Sequence, residues 1–155
     1  MFQRLFDFQS TSFLTTLRTF LVGFVTGIST WLIVLGLSKF VLTPILCQGQ
    51  ASSCSAVSPT ATIIALLLAH FVALIALVRM GVLRPLLVIL AVIASLWGFQ
   101  QWFSLAPWWL ASLQSGLLFG LAFLAYMWIN RVLSFPVALV LTIVGVIAAR
   151  LLIIS

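Results

Sequence analysis

Five long apolar stretches dominate this chain: Thr19 to Ser38, Thr60 to Val78, Pro85 to Phe103, Leu110 to Ile129 and Phe135 to Ile154. The first four contain no Lys, Arg, Asp or Glu, and the last contains only Arg150. A helix crosses roughly 30 Å of hydrocarbon in about 20 apolar residues, a length that each stretch supplies. Peptide groups in lipid must be satisfied inside the spanning element, so these stretches read as α-helices rather than as open strands. The sequence therefore predicts an all-α, polytopic integral membrane bundle with five transmembrane helices, forming a single membrane domain over residues 1–155.

Charge is scarce, and its placement is informative. Asp7 is the only acidic residue against seven Lys and Arg, a net charge of +6. In a soluble protein that excess would suggest nucleic acid, but cations scattered between apolar spans form no continuous stripe, and no nucleic-acid partner is expected. They read instead as topology signals, because cytoplasmic loops are enriched in Lys and Arg. One orientation gathers Arg4, Arg18, Arg79, Arg84 and Arg131 on one side and leaves Lys39 and Arg150 nearest the other. The expected topology is N-terminus cytoplasmic and C-terminus exported, in the inner (cytoplasmic) membrane of a bacterium.

Residues 1–18 mix Phe2, Leu5, Phe6, Phe8 and Phe13 with Arg4 and Asp7, a composition suited to a short amphipathic segment in the cytoplasmic headgroup region. The first span is expected to remain as an anchor, since its apolar core exceeds the roughly 7–15 residues of a signal-peptide core. On the exported side, Cys47 and Cys54 flank and enter a short loop where an oxidising compartment allows a structural disulfide. Their spacing fits neither a CxxC redox pair nor a zinc site.

Two tight turns, Arg79 to Arg84 followed by Pro85 and Arg131 to Ser134 followed by Pro136, dictate antiparallel hairpins. Trp102, Phe103, Trp108, Trp109 and Trp128 fall near the expected boundaries and read as interfacial anchors. Lipid tails are as apolar as leucine, so helices associate in a bilayer by close backbone approach at small residues four apart. Such stripes occur at Gly23 and Gly27, at Ala61, Ala65, Ala69 and Ala73, and at Ser112, Gly116 and Gly120. These stripes are read first as packing within the bundle; should one be left over for a membrane partner or a second copy, the Gly23/Gly27 face is the expected contact.

Few groups could carry chemistry. His70, the only histidine, falls mid-span and is expected as a neutral imidazole bonded across a helix interface. Arg150 lies about 21 Å along the last span from Pro136, short of the outer surface, and is read as snorkelling near the helix end, with a lipid phosphate, a protein partner or the terminal carboxylate as the alternatives that would satisfy it. Arg79, Arg84 and Arg131 form an expected rim for anionic lipid headgroups. No cofactor or metal set can be assembled from one His, one Asp and two Cys at different depths. Acid/base chemistry needs at least two placed titratable groups, so an enzyme is not expected. The leading expectation is a non-catalytic accessory or structural subunit in contact with lipid and with another membrane protein or itself. The alternative is an uncoupled transporter or channel for a neutral or anionic solute, with His70, Gln100, Gln101, Gln114 and Asn130 along its path.

Overall fold

The computed structural model describes residues 13–47, 57–82, 84–99, 106–132 and 134–154. Helices account for nearly all of them, and no strand occurs among the described residues. The helices are α1 (Phe13–Gly36), α2 (Val57–Arg79), α3 (Pro85–Leu96), α4 (Trp108–Val132) and α5 (Phe135–Ile154). Three continuous helical segments, Phe13–Ile45, Val57–Arg79 and Trp108–Arg131, are long and apolar enough to cross a membrane.

The first segment is longer than its apolar stretch. α1 runs on through a π-helical turn, Leu37–Leu42, into a last α-helical turn, Thr43–Leu46. Pro44 explains the widening: proline has no N–H to donate, and its ring crowds the carbonyl four residues earlier. The Thr43 N–H bonds Ser38 O, five residues back, and the chain stays helical past Lys39, beyond the Ser38 end of the expected span. Arg18 and Lys39, both exposed, stand 21 residues apart, about 32 Å along a helix. That separation matches the hydrocarbon thickness. Of the amphipathic segment expected over residues 1–18, residues 1–12 lie outside the described residues, and Phe13 to Arg18 form the first turns of α1.

The third expected span is corrected. α3 is helical for only 12 residues, about 18 Å, instead of continuing to Phe103. Trp97 takes an extended conformation (ψ 121°) and Gly98 has φ 88°, a left-handed value that glycine adopts without a Cβ clash. This break turns the chain inward, and Phe99 is fully buried against Trp31 and Phe119, with ring centroids 6.3 and 5.3 Å away.

α1 packs most extensively on α4, then on α2; α3 lies against α4 and α5. The pairings Gly23 with Gly120, Gly27 with Gly116 and Thr19 with Met127 make α1 and α4 antiparallel. Val34 near the end of α1 packs with Ala61 and Ala65 near the start of α2, so those helices are antiparallel too. Arg18, Arg79, Arg84 and Arg131 consequently gather at one end of the bundle, called the basic end below, with Lys39, Trp108 and Trp109 at the other.

Candidate functional site

α1 and α4 approach closely along a glycine seam. A Cβ added to Gly23 would lie 2.9 Å from Gly120 Cα and Phe119 O. One added to Gly27 would lie 2.5 Å from Ser115 O and 2.9 Å from Gly116 Cα. Ser115 Oγ donates to Gly27 O at 2.9 Å across the same seam. Phe20, Phe24 and Ile28 of α1 fill the space over Gly116 and Gly120. The Gly23/Gly27 face is thus covered by the chain's own α4, not left for a partner.

Hydroxyls line the rest of this face of α1 at helical spacing. Thr26 Oγ1 donates to Val22 O at 2.7 Å and Thr30 Oγ1 to Thr26 O at 2.8 Å, each returning its proton to its own helix. Thr19 divides its interactions between Thr15 O at 2.9 Å and Met127 Sδ at 3.1 Å on α4. Ala61, Ala65, Ala69 and Ala73 are all buried on one side of α2, and Ser112 is buried on α4 beside its Trp109 O bond at 2.8 Å.

His70 shares the buried side of α2 with the alanines. Its ring centroid lies 5.4 Å from that of Phe119 and 6.1 Å from that of Phe123, so the imidazole faces α4. Nδ1 bonds Leu66 O at 2.8 Å; a carbonyl only accepts, so Nδ1 carries the proton. The expected bond across the interface is therefore replaced by one within α2. Nε2 is buried and has no partner among the described residues.

Arg150 is satisfied in a way the sequence did not suggest. Its Nη1 donates to Trp97 O at 2.7 Å, linking α5 to the carbonyl end of the broken α3. A cation at a helix C-terminus complements both the unpaired carbonyls and the helix dipole. Nearby, the hydroxyls of Ser95 on α3 and Tyr126 on α4 are hydrogen-bonded, and the Tyr126 ring lies against Gly145 of α5. Neither Trp97, Ser95 nor Tyr126 was singled out from the sequence. The Trp97-Gly98 pair, with glycine inside an apolar run, was the available signal for a break.

Of the expected lipid rim, Arg79 is exposed at the end of α2 and Arg131 is half-buried in the last turn of α4. Arg84 differs from both: it holds a left-handed backbone (φ 56°, ψ 53°), and its guanidinium lies 4.9 Å from the Phe135 ring centroid, a cation–π contact. Cys47 follows the final turn after α1, while Cys54 lies outside the described residues, as do Gln100, Gln101, Trp102 and Phe103. No group of three or more His, Cys, Asp or Glu that could hold a metal ion occurs among the described residues.

No protein-family model, curated protein or solved structure matches this chain.

Proposed function

We propose that this protein is a non-catalytic subunit of the bacterial cytoplasmic membrane, acting by contact within the bilayer with another membrane protein or with a second copy of itself. Its chain passes back and forth five times, with the basic end cytoplasmic, as the distribution of Arg residues favours. The observation that carries this reading is the filled axis of the α1, α2 and α4 bundle. Phe119 and Phe123 are fully buried against His70, Phe99 is fully buried against Phe119, and α1 meets α4 backbone to backbone at Gly27 and Gly116. A solute has no room to pass there, which disfavours conduction through this part of a single chain. Short turns at the basic end, Met80 to Arg84 and Leu133 to Ser134, leave little surface for a soluble partner. Recognition then falls to lipid-facing side chains, among them Phe71, Val72 and Leu67 of α2.

Purification in mild detergent, with mass spectrometry of co-eluting proteins and a vesicle flux assay on the same material, tests the proposal. A stoichiometric membrane partner or a defined oligomer, together with vesicles no leakier than protein-free ones, is the expected result. Flux of a small neutral or anionic solute through the purified protein would overturn it in favour of a channel.

A further inference from the structure

Buried polar groups occur in both halves of the bundle. Where α1, α2 and α4 meet, glycine, alanine and phenylalanine fill the space and the threonine hydroxyls bond their own helices. His70 Nε2 has no partner there among the described residues, and where α3, α4 and α5 meet three more buried groups are left over. The Tyr126–Gly145 contact sets the register there, with Tyr126 Cε1 3.5 Å from a Cβ built on Gly145. About one turn toward the basic end, roughly 6 Å along α4 and roughly 4.5 Å along α5, are Asn130 and Thr142. Both are more than nine-tenths buried. Asn130 Nδ2 donates to Tyr126 O at 2.8 Å, but its Oδ1 has no partner among the described residues, and neither has Thr142 Oγ1.

The same seam continues to the basic end. Arg84 starts α3 and stacks on Phe135, the first residue of α5, and its buried Nη1 is also without a partner among the described residues. An acceptor, a hydroxyl and a cationic donor therefore follow one another from mid-bundle to the basic surface. Each unsatisfied buried group costs about 1–3 kcal/mol, and water meeting two to four such groups is the usual remedy.

We propose that the α3–α4–α5 seam is a hydrated vestibule, admitting water from the basic end past Arg84 to Asn130 and Thr142, and closed beyond them by the Ser95–Tyr126 hydrogen bond. This site is separate from the filled α1–α2–α4 axis and goes beyond the subunit role. Small polar molecules entering from the basic side would meet an arginine first and an amide and a hydroxyl at its floor.

Cysteine accessibility tests the vestibule. A thiol in lipid or a dry core stays protonated and unreactive, whereas a hydrated one ionises and attacks a thiosulfonate, forming a mixed disulfide and releasing the sulfinate. In a background of Cys47→Ser and Cys54→Ser, the variants Thr142→Cys, Ala138→Cys, Val144→Cys and Thr30→Cys would be treated in membranes with a small anionic methanethiosulfonate, from each face in turn. Ala138 is fully buried one turn nearer the basic end; Val144 faces outward on α5; Thr30 is buried against the glycine-seam side of α1. The expected result is modification of Thr142→Cys and Ala138→Cys at least about tenfold faster than the two controls, and only from the face bearing Arg79. Rates no faster than Val144→Cys, or labelling only from the other face, would overturn the proposal. Should Thr142→Cys lose its native elution profile, Ala138→Cys decides by the same criterion.

Discussion

Arg150 Nη1 donates to the carbonyl oxygen of Trp97 at 2.7 Å, so the one cation inside the last apolar helix is spent on closing the end of a broken one. α3 stops after Leu96 because Gly98 leaves the right-handed region, which frees carbonyls that no longer have a donor within the helix. Arg150 reaches them from α5. The break and the charge compensate each other.

Replacing Arg150 with Ala removes a charge-assisted hydrogen bond and leaves the α3 terminus short of a donor. The expected loss is about 1–2 kcal/mol of unfolding free energy in detergent titrations, with Arg150→Lys recovering part of it. Equal stability of Arg150→Ala and the unmodified protein would show that the bond contributes nothing.

Glycine substitutions on the α1–α4 seam should separate sharply by position. A Cβ at Gly27 meets backbone, Ser115 O at 2.5 Å, which cannot swing aside, whereas one at Gly36 meets nothing within 4 Å. Gly27→Ala is expected to cost about 1–3 kcal/mol or to abolish the monodisperse elution peak, while Gly36→Ala stays within about 0.5 kcal/mol of the parent or stabilises it slightly. Comparable behaviour of the two variants would contradict the close approach.

What the sequence made legible follows from which physical signals are local. Helix α2 (Val57–Arg79) brackets the apolar stretch Thr60 to Val78, and α5 spans the same residues as its stretch, because both end at charges, turns or prolines visible in the chain. α1 overruns its stretch because hydropathy reports depth in lipid, while a helix can continue through Arg18 and Lys39 into the headgroups. α3 falls short because tryptophan and phenylalanine keep the stretch apolar while one glycine changes the backbone's hand. At the site, four-residue spacing exposed the small-residue stripes, but not that Gly23 and Gly27 pair with Gly120 and Gly116. The partners of His70 and Arg150 are main-chain carbonyls of Leu66 and Trp97, and a carbonyl leaves no mark on a sequence.

The Ser95–Tyr126 pair ties α3 to α4 beside Gly145 of α5, with both residues buried. Tyr126→Phe leaves the Ser95 hydroxyl without this partner and should cost about 1–2 kcal/mol. Ser95→Ala should cost a similar amount, and the double variant less than the sum of the two. Strict additivity in this cycle would mean that the hydroxyls do not interact.

Cys47 follows the last turn after α1 at the end of the bundle opposite Arg79, where the N–H of Cys47 bonds Thr43 O at 3.0 Å. Cys54, the only other cysteine, lies three residues before α2 begins at Val57. A bond between them would close the α1–α2 connection across a loop of six intervening residues, limiting the freedom of the unfolded chain at the point where the antiparallel helices α1 and α2 are joined. Denatured protein that has not been reduced should therefore take up no maleimide, and prior reduction should add two labels per chain. Reduction is also expected to lower thermal stability, by roughly 2 kcal/mol for so short a loop. Two labels before reduction would exclude the bond, and the α1–α2 connection would then be held by helix packing alone.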